Sequence, residues 1–268
     1  MVTVARRDGP GLLTVLNAVG GTLVYYGPVA LLLLAWEIAS RVGWLSAELL
    51  PSPEATFAAF RSVFDSGELA LQAFVSLKRE LTGLLSSVAI GTVVGITMAR
   101  IEMARLLLRP VITFLYPMPK SALIPILLLW FGLGDMSKIA AVFLGCLLPV
   151  VISSYNGARG VDPLLVWSAL SLGTSKLGVL WKIILPAALP DILSGIRMAL
   201  ALSWLLLISA ELLLAEKGLG FMIGYNGETG DYATMFSAII VVMLIGATSD
   251  RLFLHLMAWS LRWRTLSS

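Results

Sequence analysis

The 268 residues are 58% hydrophobic and only 13% charged, with a mean hydropathy of +0.92 and a formal net charge of +3. A soluble domain carries about a quarter charged residues, so the composition excludes an ordinary water-soluble enzyme, and the basic residues stand at the edges of apolar blocks rather than in the single patch of a nucleic-acid binder. One cysteine, Cys146, and one histidine, His255, leave no disulfide framework within the chain and no Cys- or His-cluster metal centre.

Taken from its start, the chain places Arg6 and Arg7 before an apolar stretch too long for the core of a signal peptide, with no convincing cleavage site after it. It reads as a retained first span. A bilayer core needs about 20 apolar residues in a helix, and six segments qualify, at about 22–44, 72–99, 106–131, 136–158, 188–214 and 232–258. Helices are required because lipid offers no partner to an unpaired backbone group. Between the first two spans, Pro51-Ser52-Pro53-Glu54 opens an amphipathic stretch with Phe57, Phe60, Val63 and Phe64 on one face. Ser52 suits a helix cap and Pro53 the first turn, and the piece is expected to lie along the membrane surface.

Orientation follows the Lys/Arg bias. With the amino terminus in the cytoplasm, the inner side receives Arg6, Arg7, Arg100, Arg105, Arg109, Arg159, Lys176, Lys182, Arg262 and Arg264. The outer side receives only Arg41, Arg61, Lys138 and Lys217, beside acids that include Glu48. Both termini are therefore expected in the cytoplasm, and residues 1–268 form a single transmembrane domain. No Walker-type Gly-rich phosphate loop is visible, so any energy the protein uses is expected to come from elsewhere.

The longest inner connection, 159–187, is itself helix-like. It contains Trp167-Ser168-Ala169-Leu170-Ser171-Leu172-Gly173, nine residues, then Ile183-Ile184-Leu185-Pro186. Leu164, Leu165, Ala169 and Leu172 recur at helical spacing on one face. Gly173 permits the left-handed turn that ends a first short helix, Ser175 caps a second, and Pro186 is expected to stop that second helix before the fifth span. Two short helices held at an angle make a knob suited to a groove on a partner. The alternative is a helical hairpin without a partner, but apolar residues on a water-facing loop call for a cover.

This segment resembles the EAA loop of bacterial ABC-importer permeases, whose pattern is Glu-Ala-Ala, three residues, Gly, nine residues, Ile-x-Leu-Pro. Ala169, Gly173, Ile183, Leu185 and Pro186 stand at matching positions, whereas Trp167 and Ser168 replace the family's Glu and Ala. The likeness extends over most of the chain. Leu50-Pro51-Ser52-Pro53, Pro110 to Gly134 with Trp130-Phe131-Gly132-Leu133-Gly134, Leu185-Pro186-Ala187-Ala188-Leu189-Pro190, and Glu211 followed by Gly218-Leu219-Gly220 look like the subfamily importing taurine, aliphatic sulfonates and nitrate.

The resemblance implies an all-α membrane protein with the MetI-like fold of type I ABC-importer permeases, in the bacterial inner membrane. Such a subunit is non-catalytic and binds no cofactor. It works with a second permease copy, read as a homodimer, with a pair of ABC ATPase subunits that use ATP and Mg, with an extracytoplasmic substrate-binding protein, and with lipid rather than nucleic acid. The coupling residues it implies are Trp167, Ser168, Ala169, Leu172, Gly173, Ile183, Leu185 and Pro186. The implied cargo is a small organic or inorganic anion. Similar permeases handle aromatic carboxylates or vitamin precursors. An ion-driven secondary transporter is the rival class, and it would call for a coupling-ion site and internal repeats.

Lys120 falls mid-span in Tyr116-Pro117-Met118-Pro119-Lys120-Ser121. A charge at that depth costs about 3 kcal/mol, so it should face protein or water. Pro117, Pro119 and Pro125 also interrupt the backbone ladder, which lipid does not tolerate. Two readings stay open: a translocation-path cation, with Tyr116, Met118, Ser121, Trp204 and Glu211 as further path candidates, or an ion pair with Glu37, Glu80 or Glu211. Glu211 itself lines an outer gate or pairs with Lys120 or Arg197. Lys78, Arg79 and Glu80 read as a local polar seam. Gly91, Gly95 and Ala99 read as close helix packing, and Gly218–Phe221 as a re-entrant loop or a simple turn. No catalytic residue or metal ligand stands out.

Overall fold

Helix α1 (Leu12–Val42) opens a computed structural model that describes residues 12–42, 46 and 49–263, with side chains from Gly27 onward except Leu214. Arg6, Arg7, Trp44, Glu48 and Arg264 lie outside the described residues. Helix α2 (Pro53–Asp65) begins where the sequence signals it: Ser52 Oγ accepts from the Ala55 N–H at 3.1 Å, and Pro53 occupies the first turn. Phe57, Phe60 and Phe64 stack along one side of α2 with ring centres 6.2 and 5.9 Å apart. Trp36 of α1 donates to the Pro51 carbonyl at 3.0 Å and stacks on Phe236.

Three long helices make the centre: α3 (Glu68–Arg100), α6 (Asp135–Arg159) and α9 (Leu185–Leu214). Glycines let them approach. A Cβ on Gly83 would lie 2.7 Å from Val142 Cβ, and one on Gly91 2.9 Å from Val150 Cγ1. Gly95 meets the Val151 carbonyl and Ser154 in the same way. These glycines serve packing between neighbours of one chain, as small-residue spacing predicts. Leu84, Val142, Cys146, Val150, Ala199, Leu200, Trp204 and Leu207 fill the interface, and the Cys146 thiol donates to the Ala199 carbonyl.

Among the described residues, four helices are long and apolar enough to cross a membrane: Glu68–Arg100, Asp135–Arg159, Lys176–Leu213 and Tyr232–Ser260, the last being α11. The third expected span, 106–131, is not one rod. Helix α4 (Glu102–Leu115) and the piece Lys120–Phe131, which includes α5 (Ile124–Phe131), meet at a 93° bend. Pro117 and Pro119 cannot donate to the preceding turn, so the ladder breaks there. Pro125 sits in the first turn of α5, where a missing N–H is harmless. No side chain of helix α4 is fully buried within the chain. The remaining helices, α7 (Pro163–Ser171), α8 (Lys176–Val179) and α10 (Leu219–Thr229), build the two ends of the bundle.

Candidate functional site: a hairpin at one end, a polar lock at the other

Helix α7 starts at Asp162, whose carboxylate accepts from the Leu164 N–H at 2.8 Å, with Pro163 in the first turn. It ends at Gly173, where φ is +82°. The Thr174 N–H returns to the Ala169 carbonyl and the Gly173 N–H to Leu170, both at 3.0 Å. This paired closure is the Schellman arrangement, and it fixes the angle between the arms. Ser175 Oγ then caps α8 by accepting from the Gly178 N–H at 3.1 Å.

The second arm does not stop at Pro186, contrary to the sequence expectation. A π-helical turn, Leu180–Ile184, carries α8 directly into α9. The widened turn shifts the register ahead of Pro186, whose missing N–H falls in the first turn of α9 and leaves no broken bond. Lys176–Leu213 is consequently a continuous helix of 38 residues.

The eight expected coupling residues divide by burial. Ala169 is 9% exposed, packed with Ala158, Val179, Ile184, Ala188 and Ile192, so it faces inward and does not share the outer face of Leu164, Leu165 and Leu172. Trp167, Ser168, Leu172 and Gly173 are exposed, while Ile183, Leu185 and Pro186 are half-buried at the base. Trp167 and Leu172 are 65% and 85% exposed. Sequence reasoning missed two further members of this apolar surface, Leu177 and Trp181 on the second arm, 70% and 68% exposed. Their i, i+4 spacing was the available signal.

At the bend, Lys120 Nζ donates to the carbonyls of Leu115 at 2.7 Å, Tyr116 at 3.1 Å and Met118 at 2.6 Å. Glu37, Glu80 and Glu211 are not its partners, so the expected ion pair is replaced by the carbonyl end of α4, where a cation is favoured. Tyr116 and Ser121 are exposed, and Met118 and Lys120 half-buried. The other two path candidates lie inside: Trp204 is 7% exposed in the α3–α6–α9 core, and Glu211 is fully buried.

Glu211 is also not paired with Lys120 or Arg197. Its partner is Arg79, at 2.8 Å, and Arg197 instead pairs with Asp250 of α11 at 2.8 Å. Arg79 reaches further, to Asp135 at 2.6 Å and the Lys217 carbonyl at 2.7 Å. Lys138 donates to the Leu133 carbonyl and lies within electrostatic reach of Arg79, Glu211 and Asp135. Three consecutive amides at the start of α10 are taken in turn: Gly218 by Gln72 Oε1 at 2.6 Å, Leu219 by Ser76 Oγ at 2.8 Å, and Gly220 by the Glu211 carboxylate at 2.9 Å. Gly218 adopts φ +117°, and a Cβ there would collide with that carboxylate. Gly218–Phe221 is thus a tight turn into α10. The polar face Gln72, Ser76, Arg79 at helical spacing marked this lock in the sequence, whereas Glu80 of the Lys78–Glu80 seam accepts from Ser203 of α9 at 2.8 Å instead.

The family described as binding-protein-dependent transport system inner membrane component matches residues 91–259. The chain is 34% identical over 235 residues to the putative aliphatic sulfonates transport permease protein SsuC of Bacillus subtilis (strain 168), covering 88% of this chain and 85% of that protein. It is 34% identical over 224 residues to the taurine transport system permease protein TauC of Escherichia coli (strain K12), covering 82% of each. A chain in an inward-facing structure of the MetNI methionine ABC transporter shares the fold at TM-score 0.61 and 15% identity, over 70% of this chain and 94% of that one. Matched in family and fold and carrying several membrane-length helices, the chain belongs to the binding-protein-dependent transport system inner membrane components, as a multi-pass permease subunit.

Proposed function

We propose that this permease carries a small organic or inorganic anion, of the sulfonate or taurine type, and that its 163–185 hairpin docks into an ABC ATPase subunit. The observation that carries the reading is mechanical. An exposed apolar knob, set at a fixed angle by the Gly173 turn, is one piece with a 38-residue membrane helix. A groove on a partner that moves the knob moves the helix as a rigid body. ATP and Mg are used on that partner, and this chain binds neither.

A second permease copy, as a homodimer, would cover the exposed Leu107, Val111 and Phe114 along one face of α4. The non-helical backbone at Tyr116–Pro119 needs protein or water beside it rather than lipid. Tyr116, Met118, Lys120 and Ser121 are therefore the path candidates between the two copies. An extracytoplasmic binding protein delivers the anion. The anion class rests on the names of the SsuC and TauC relatives.

The test replaces Leu172 with Asp and, separately, Trp167 with Asp. Both side chains are exposed, so the purified variants should melt as the parent does. They should lose co-purification with the ATPase subunits and lose sulfonate uptake in membrane vesicles. Full ATPase association and uptake in both variants would overturn the docking reading.

A further inference from the structure

On the side of the bundle that carries the hairpin, α4 leans on α3 rather than on α6, and a cleft of about 210 Å³ remains. Met98, Ile112 and Val151 give it an apolar floor, and Arg109 of α4 and Arg159 of α6 stand at its margin beside Tyr155. No carboxylate lines it among the described residues. Arg109 has no hydrogen-bond or ion-pair partner among them, whereas neighbouring Arg105 is engaged by Glu102 at 2.8 Å. Arg159 lies over the Tyr155 ring at 5.7 Å and donates to its hydroxyl. That hydroxyl accepts from Arg159, so its own proton is left to donate elsewhere.

We infer that this cleft is an anion-binding site for an oxyanion carried on an apolar stem, held by Arg109, Arg159 and the Tyr155 hydroxyl. Guanidinium groups offer planar paired donors that match sulfonate, phosphate or carboxylate oxygens. Cations of one sign beside low-dielectric walls focus the field on whatever enters. The volume is below the roughly 300–1,000 Å³ of drug-sized ligand sites, which suits a headgroup or a small ion. The apolar floor selects a stem of several methylenes over a bare inorganic ion.

The same chemistry has two sources. A soluble alkanesulfonate fits it, and so does an anionic phospholipid, since basic pockets between membrane helices take lipid headgroups. The site is independent of the docking reading: it asks only for binding by the full chain, with no ATPase present.

The experiment titrates the full chain in phosphatidylcholine nanodiscs with methanesulfonate and butanesulfonate by calorimetry. A parallel sample in discs containing phosphatidylglycerol is analysed by native mass spectrometry for retained lipid. Butanesulfonate should bind saturably and more tightly than methanesulfonate, or phosphatidylglycerol should be retained in preference to phosphatidylcholine. The first result assigns a soluble ligand and the second a lipid headgroup. In either case Arg109→Gln and Arg159→Gln should each weaken binding about tenfold or more. Both arginines are exposed, so the variants keep the parent's melting temperature. Absence of saturable binding by both probes, or binding to both variants equal to the parent's, overturns the assignment.

Discussion

The two ends of α9 solve opposite problems. Around Glu211 the chain completes itself: one buried carboxylate accepts from Arg79, Ser76 and the Gly220 amide, and the start of α10 has its amides filled. At the other end, with Trp181 roughly 45 Å back along the continuous helix, the hairpin leaves Trp167, Leu172, Leu177 and Trp181 uncovered. One end uses charge to lock helices of the same chain. The other keeps its apolar surface for something outside it. Stability should therefore concentrate at the Glu211 end and coupling at the hairpin end, and substitutions can separate the two.

The largest effect is expected from Arg79→Ala, followed by Glu211→Ala. Arg79→Ala leaves the buried Glu211 carboxylate without its ion-pair partner, which costs about 3–5 kcal/mol, and Glu211→Ala costs less because Arg79 keeps Asp135. Unfolding of the purified chain in detergent should show it, and the double variant should lose less than the sum, because the two side chains act together. An additive double variant would dissolve the lock.

Next come two glycines with positive φ, one at each end. Gly218→Ala combines left-handed strain with a collision against the Glu211 carboxylate, and about 2–4 kcal/mol is expected. Gly173→Ala has open space around it and meets only the backbone term, about 1–2 kcal/mol. The smaller loss of stability should nevertheless accompany the larger loss of ATPase association, since the Gly173 turn sets the angle of the knob. Equal effects on association would break the division between the ends.

Much of this was legible in the chain. Ser52, Pro53, Gly173 and Ser175 act through local rules of capping and left-handed turns, and each stands where those rules put it. The glycine stripe on α3 was readable for the same reason: spacing alone decides which atoms approach. What failed was partner choice. Lys120 and Glu211 were both recognisable as intramembrane charges, yet Lys120 found the carbonyls of its own broken helix and Glu211 found Arg79, far away in sequence order on α3. A charge announces that it needs a partner, not which one. Ala169 failed differently: periodicity grouped it with Leu165 and Leu172, but the tilt of α7 against α8 and α9 turns it into the core. The run through Pro186 was missed because a π turn changes register without any residue type that signals it.

Trp181 gives the finest test of the comparison. It lies on the π turn itself and is 68% exposed. Trp181→Ala should leave stability within about 0.5 kcal/mol of the parent. If the hairpin presents both arms to its partner, the same substitution should weaken ATPase co-purification measurably, because Trp anchors dominate such contacts. An unchanged association with Trp181→Ala, set beside a loss with Leu172→Asp, would confine the docking surface to the first arm. The continuous helix would then carry motion without itself touching the ATPase.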